Sequence, residues 1–193
     1  MDENTIATLV GVGVQTMSTI LQSYVTFKKT NVEKYFELLL KEDINLSKIG
    51  TDEKIQKLFF TIIDNSSKEI TEEKIRNWKN LTIKLATEFN DLDFAENYTK
   101  ILTDLTAFDL TVLFSVYTIE FKSKFFNTEL LEFFKNKNVE NDKVFHSMKR
   151  LANNYLITEQ ADGTSYLSSG MPSGQMFFYE KNDLGTDFLR IIS

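Results

Sequence analysis

The chain has 193 residues, of which 42% are hydrophobic and 26% are charged, and these proportions are ordinary for a folded globular protein. It contains no cysteine and a single histidine, His146, so disulfides, cysteine-based zinc sites and thiol nucleophiles are excluded. The net charge of −6 argues against general affinity for nucleic acids, and one proline with seven glycines favours long helices.

An uncharged segment lies near the start of the chain, at residues 4–27. Apolar residues recur there at helical spacing, while Thr, Ser and Gln fill the other positions. We expect this helix to pack within its own domain or in a homo-oligomer interface. Membrane association is the alternative, because an uncharged polar face is unusual for a helix in water. The candidate oligomer or membrane residues are Ile6, Val10, Val14, Met17, Leu21 and Val25.

Three helices are predicted between residues 34 and 89. The first is Lys34–Leu40, and the next two begin after Thr51 and Thr71, whose side chains suit the N-cap position. The predicted buried residues of these two helices are Ile55, Leu58, Phe59 and Ile62, and then Ile75, Trp78, Leu81, Leu85 and Phe89. Trp78 is therefore assigned a packing role, with stacking on a cofactor as the alternative.

Residues 110–119 are apolar on all sides of a helical wheel, and this stretch is predicted to be the centre of the fold. A helix that is apolar all round should be hidden from water on every side. Thr106 and Asp109, three positions apart, form a pattern like a capping box at its start. The preceding helix is predicted to place these residues inward: Phe94, Tyr98, Ile101, Leu102 and Leu105.

The chain changes character after Phe121. A short helix is predicted from Asn127 or Thr128 to Phe134, and a longer one from Asn141 or Asp142 to Tyr155. Extended segments follow on either side of an Asp162-Gly163 turn and at Gln175–Tyr179. A last helix, Asp183–Ile192, is predicted to be capped by Asn182.

Two stretches near the C-terminus resemble winged-helix proteins. KRLANNYLITE, residues 149–159, is similar to the turn that leads into a wing, with Asn153-Asn154 where glycine is usual. FFYEKNDLGTDFLRII, residues 177–192, resembles the end of such domains, with Gly185 at the matching position. We therefore predict a mainly α fold: a helical body at 1–105, and a winged-helix-like unit with a small antiparallel β-hairpin, packed against it, at 106–193.

The one basic part of the chain is residues 121–157, with seven basic and four acidic side chains. If the unit bound DNA, the helix from Asn141 would enter the major groove, where Arg and Asn read base edges. Its outward residues would be Lys143, Ser147, Lys149, Arg150 and Asn153. A solvated helix face is the alternative, because residues 158–180 contain no Lys or Arg that a DNA-contacting wing would use.

No catalytic, cofactor-binding or metal-binding pattern is present, so we expect a protein without enzymatic activity. His146 lies in a helix with no partner pattern of a triad or a metal site. No glycine-rich phosphate loop occurs, because Gly11 and Gly13 lack a third glycine and a preceding strand. Pairs of acidic residues fall at helix ends, where capping accounts for them.

The chain as a whole resembles the abortive-infection alpha-type proteins of bacteria and their mobile elements. The residues that carry the resemblance are Leu105-Thr106 with Asp109-Leu110, Tyr155-Leu156-Ile157, and Leu184-Gly185 with Phe188-Leu189. It implies a cytoplasmic, phage- or defence-related protein that acts by binding a protein partner. Two alternatives remain open: a winged-helix DNA-binding regulator, and a membrane-associated effector anchored by residues 4–27.

Overall fold

The computed structural model describes residues 22–23, 25–42, 49, 52–88, 92–118, 123–161 and 177–193. The chain divides into two compact units, Met1–Phe89 and Asn90–Ser193. The described part is mainly helical with a small three-stranded antiparallel sheet, which confirms the predicted fold class at that level. The division falls before residue 105, so the helix that starts at Leu92 belongs to the second unit rather than the first.

Three helices make up the described part of the first unit: α1 at 25–40, α2 at Glu53–Ser67 and α3 at Glu72–Thr87. The side chain of Asp52 caps α2 by accepting hydrogen bonds from the amides of Lys54 and Ile55, at 2.9 and 3.2 Å. The prediction that Thr51 caps this helix is wrong, because Asp52, the next residue, holds the N-cap position. Thr71 caps α3 as predicted, accepting from the Lys74 amide.

The core of the first unit is built from one face of each helix. Trp78 is fully buried, as its predicted packing role requires. The Tyr35 hydroxyl on α1 lies 2.5 Å from the Thr82 hydroxyl on α3, and Asn31 donates to the carbonyl of Ser67 at 3.0 Å. These bonds satisfy polar groups that would otherwise destabilise a buried interface. The largest buried hydrophobic side chains here are Tyr35, Leu39, Ile62, Trp78, Leu81 and Leu85.

A buried ion pair lies between α2 and α3. The ammonium group of Lys74, a residue only 6% exposed, lies 2.9 Å from Glu69 Oε1, and the Trp78 indole donates to the same oxygen at 2.8 Å. Glu69 lies in the turn between the two helices. One carboxylate therefore fixes the turn, the first turn of α3 and the tryptophan of the core.

The second unit begins with α4 (Leu92–Asp104) and α5 (Ala107–Thr118), which meet at a bend of 112°. The predicted capping box is confirmed, because the Thr106 amide donates to Asp109 and the Asp109 amide donates to the Thr106 hydroxyl. Two predictions are wrong. Phe94 points outward with 54% exposure, and α5 exposes Thr111 and Thr118, so it is not hidden from water on every side.

A three-stranded sheet follows, interleaved with helices. Its elements are β1 (Lys124–Phe126), α6 (Asn127–Lys135), α7 (Asn141–Asn153), β2 (Ile157–Ala161), β3 (Phe177–Lys181) and α8 (Asp183–Ile192). All pairings are antiparallel in the order β1-β3-β2, with Tyr179 opposite both Phe125 and Glu159. The sequence did not predict β1, because three residues are too few to show alternation. The predicted Asp162-Gly163 turn lies outside the described residues.

The ends of α5, α7 and β3 meet at one hydroxyl group. Tyr117 on α5 donates its hydroxyl hydrogen to the Leu156 carbonyl at 2.7 Å and accepts from the Asn182 amide at 3.0 Å. Asn182 also caps α8 as predicted, accepting from the Gly185 amide at 2.9 Å. Gly185 is required here, because a β-carbon would lie 2.1 Å from both the Leu156 carbonyl oxygen and the Tyr117 hydroxyl oxygen.

The turn from α7 into β2 contains a residue in the left-handed conformation, but at a different position from the one predicted. Tyr155 has φ 57°, whereas Asn154 has φ −89°. The amide of the Asn182 side chain donates to the Tyr155 carbonyl at 2.9 Å and holds the turn in place. Asn153 and Asn154 therefore do not replace the expected glycine, since the next residue takes that conformation.

Candidate interaction surface on the second unit

Helix α7 carries the five residues predicted to face outward, and the structure separates them. Lys143 and Asn153 are exposed, and Lys149 and Arg150 are partly exposed. Ser147 is fully buried, so its predicted outward position is wrong. Ser147 lies on the same helical stripe as the buried Val144 and Leu151, three and four positions away, and this spacing accounts for its burial.

Arg150 is held by a buried carboxylate. Its Nε and Nη2 atoms donate to the two oxygens of Asp109, each at 2.8 Å. Asp109 is fully buried, and it also accepts from the amide and hydroxyl of Thr106, both at 2.7 Å. The pair joins the first turn of α5 to the last turn of α7. The planar fork of arginine matches a carboxylate with two parallel bonds, which is the strongest form of this contact.

The electrostatics of this pair are set by its hydrogen bonds. Burial acts to raise the pKa of Asp109, but the bonds from Arg150 and Thr106 outweigh it and hold the pKa below its ordinary value. The carboxylate in turn raises the pKa of Arg150. Sequence reasoning recognised Asp109 as part of a cap and missed Arg150 as its partner. The two residues are 41 positions apart, and no spacing rule connects them.

Lys149 is also used within the unit. Its ammonium group forms a salt bridge with Glu159 on β2 and lies 5.4 Å from the ring centre of Phe145. Glu159 therefore places a negative charge on β2 beside Lys149, which opposes attraction between α7 and phosphate groups. Two of the three positive charges predicted to contact DNA are thus neutralised by carboxylates of the same unit.

Two other lysines of the basic segment, Lys137 and Lys143, lie beside aromatic rings. Lys143 lies 4.3 Å from the ring centre of Phe108, and Lys137 lies 4.2 Å from that of Phe133. Phe134 connects the two, with its ring centre 5.8 Å from Phe108 and 5.1 Å from Phe133. We call these five residues the lysine–phenylalanine corner. Within the described ranges, neither lysine of this corner forms a salt bridge.

His146 is an exposed residue of α7, as expected from the sequence. Its Nδ1 atom lies 2.7 Å from the carbonyl oxygen of Asp142 one turn earlier, which is a local helix contact. In the part of the chain that the structure describes, no three histidine, aspartate or glutamate side chains are grouped to hold a metal ion. Among the described residues, His146 therefore belongs to no such group of ligands.

The residues predicted to form an oligomer or membrane helix are mostly outside the described residues. This applies to Ile6, Val10, Val14, Met17 and Leu21. Val25 is described, lies in α1 and is 63% exposed. Among the described helices none alone is long and apolar enough to cross a membrane, and α4 with α5 meets that test only as a bent pair.

No family model matches the chain, and comparisons with the curated proteins and with the solved structures gave no match. The resemblance to abortive-infection proteins accordingly stays a prediction.

Proposed function

We propose that this chain is a non-enzymatic protein that binds a protein partner through its second unit, and that this unit is a winged-helix domain. The order of its elements supports the fold proposal: α5, β1, α6, α7, β2, β3 and α8, with β3 between β1 and β2 in the sheet. The winged-helix fold serves both DNA binding and protein contact, so the choice between them rests on side chains.

The pairing of Arg150 with Asp109 is the observation that favours a protein partner over DNA. A helix that binds the major groove needs free cations, and proteins with strong phosphate affinity make roughly 6–10 phosphate contacts. On α7, Arg150 and Lys149 are each held by a carboxylate. Lys143 is then the one basic side chain of this helix without a carboxylate partner among the described residues, and it lies over the Phe108 ring.

The biological setting is part of the same proposal. The resemblance to abortive-infection alpha-type proteins supports a cytoplasmic role in phage defence or in the biology of a mobile element. The uncharged segment 4–27 supports self-association, because its apolar stripe would be covered in an oligomer. Attachment to a membrane through that segment is the alternative, and the experiments below distinguish it.

DNA titration tests the choice of partner. A labelled random-sequence DNA duplex is titrated with the protein at two salt concentrations, and we expect only weak binding without sequence preference. The DNA-binding variant leaves Arg150 unchanged, because Arg150→Glu would place a second carboxylate against buried Asp109 and unfold the unit. Lys143→Glu combined with Asn153→Asp changes only exposed residues of α7. Tight, salt-dependent binding that this variant abolishes would refute the proposal.

Light scattering tests self-association in the full chain. We expect a species larger than a monomer, and a monomer when Val10→Asp and Val14→Asp are introduced on the apolar stripe. Thr8→Asp, on the polar side of the same predicted helix, is the matched control and should leave the assembly unchanged. If the parent protein is monomeric and sediments with liposomes, the proposal of self-association is wrong and membrane attachment takes its place.

A further inference from the structure

The two lysines of the lysine–phenylalanine corner differ from the two cations near the end of α7. Lys149 and Arg150 have carboxylate partners within the unit, whereas Lys137 and Lys143 have none among the described residues. Each of these two ammonium groups lies instead over a phenylalanine ring, at 4.2 and 4.3 Å from its centre. Contacts of this kind orient the charge of an exposed lysine without neutralising it.

The corner is held rigidly by the turn between α6 and α7. Asn138 has φ 58°, a conformation that asparagine accepts more readily than most residues. The amide of Lys137 donates to the Phe134 carbonyl at 2.9 Å, and the amide of Val139 donates to the same carbonyl at 3.1 Å. These bonds fix the backbone that carries Lys137. A preorganised surface loses little conformational entropy when it binds a partner.

The rings add an apolar component to the positive charge. Phe134 is buried and anchors the cluster, while Phe108 and Phe133 are half-buried at the surface. Aromatic side chains are enriched in protein–protein interfaces, and here they supply apolar contact area beside two positive charges. The ligand that matches this surface has both negative charge and apolar groups.

We propose that the lysine–phenylalanine corner is the docking site for an acidic segment of the partner protein, one in which carboxylates alternate with apolar side chains. The carboxylates would pair with Lys137 and Lys143, and the apolar side chains would contact the edges of Phe108 and Phe133. This proposal rests on the proposed function, since it names the chemistry of the protein partner. It adds to that function the location of the partner-binding surface on the second unit.

A nucleic acid fits this corner less well than an acidic peptide. An ammonium group lies over Phe108 and another over Phe133, so the rings do not present a bare face on which a base could stack. The exposed carboxylates of Glu140 and Asp142 at the start of α7 lower the local positive charge, so this surface suits a ligand with few negative charges. Two lysines can pair with two carboxylates of a peptide, but they are too few for a polyphosphate chain.

Fluorescence anisotropy tests the docking site in the full-length protein. The probe is a short fluorescein-labelled peptide of alternating Glu and Phe, and the comparison probes are the same peptide with Gln in place of Glu and a labelled single-stranded oligothymidylate. We expect the Glu peptide to bind more tightly than either, and its affinity to fall as salt is added. The double variant Lys137→Glu, Lys143→Glu should weaken binding about tenfold.

The matched control is Lys54→Glu with Lys100→Glu, two exposed lysines on α2 and α4. It makes the same change in net charge and should leave the affinity unchanged. Circular dichroism melts would establish that both variants are folded. Equal binding by the two variants, or no binding of the Glu peptide, overturns the docking site but leaves the proposed protein-binding function standing. Preferential binding of the oligothymidylate that the Lys137, Lys143 variant loses overturns both.

Discussion

Among the described residues, each unit buries one charged side chain against an opposite charge, but the two ion pairs differ in how far apart their members lie along the chain. In the first unit, Lys74 pairs with Glu69 in the turn just before its own helix. In the second unit, Asp109 pairs with Arg150, 41 positions away on another helix. The exposures also differ, because the Asp109 side chain is fully buried while that of Glu69 remains 15% exposed.

The difference indicates which pair the fold depends on more strongly. A local pair reinforces a connection that chain continuity already restrains, whereas a distant pair restrains two helices that the chain alone leaves free. The buried member of each pair also matters, because a charge left without a partner is most destabilising where water cannot reach it. We therefore expect substitutions at the distant pair to have the larger effect.

The largest effect is expected for Arg150→Met. This change removes both hydrogen bonds from the guanidinium and leaves the Asp109 carboxylate buried, so we expect unfolding to become easier by about 3–5 kcal/mol. Urea denaturation measures the loss. Lys143→Met on the same helix is the control and should change stability by about 0.5 kcal/mol or less. Adding Asp109→Leu to Arg150→Met should restore part of the loss, and a single-variant loss below that of Lys74→Met would refute the comparison.

Gly185→Ala is expected to destabilise the second unit by about 2–3 kcal/mol. Its new β-carbon would meet the Leu156 carbonyl and the Tyr117 hydroxyl, groups that are distant in sequence. Thermal unfolding measures the effect, with Thr186→Ala at an exposed neighbouring position as the control. Adding Tyr117→Phe should not restore stability, because the clash with the backbone carbonyl of Leu156 remains. Full rescue by Tyr117→Phe would show that the hydroxyl alone requires glycine.

A smaller loss, about 1–2 kcal/mol, is expected for Lys74→Met in the first unit. Glu69 keeps its hydrogen bond from the Trp78 indole and some contact with water after the substitution. Lys54→Met, on the exposed side of α2, is the control in the same urea experiment. A loss as large as that of Arg150→Met would show that local and distant pairs stabilise their units equally.

The smallest expected effect is a change in the free energy of unfolding with pH, and it appears only in acidic solution. The folded-state pKa of Asp109 lies below its ordinary value of 3.8. Its stabilising contribution is therefore complete above that value and is lost as the pH falls through the lower folded-state pKa. Urea unfolding of the parent and of Asp109→Asn in a series of acidic buffers should give free energies that approach each other as the pH falls. A difference between the two free energies of unfolding that stays constant with pH would contradict the lowered pKa of Asp109.

The sequence predicted those features that depend on neighbours in the chain. The caps at Thr71 and Asn182, the Thr106–Asp109 box and the burial of Trp78 all follow from spacings of three or four residues. Helices can be recognised from such spacings because their side chains interact with neighbours three or four positions along the chain. The mainly helical fold was predictable for the same reason.

Features that depend on contacts across the fold were missed. Phe94 has the spacing of a buried residue but is 54% exposed. Arg150 was predicted to face outward, and it binds Asp109 instead. Tyr155 takes the left-handed conformation in place of an asparagine, and its carbonyl accepts a hydrogen bond from Asn182. For Arg150 and Tyr155 the partner is far away along the chain.

The Asp109–Arg150 pair has a consequence for how this protein's evolution can be traced. The Asp109 side chain is fully buried and depends on Arg150, whose own side chain is 41% exposed, so loss of the arginine should be accompanied by loss of the aspartate. Distant members of the lineage, even those with little residual identity, should keep a basic residue at position 150 wherever they carry an acidic residue at position 109. A correlated substitution 41 positions apart would then mark common descent where overall similarity no longer does.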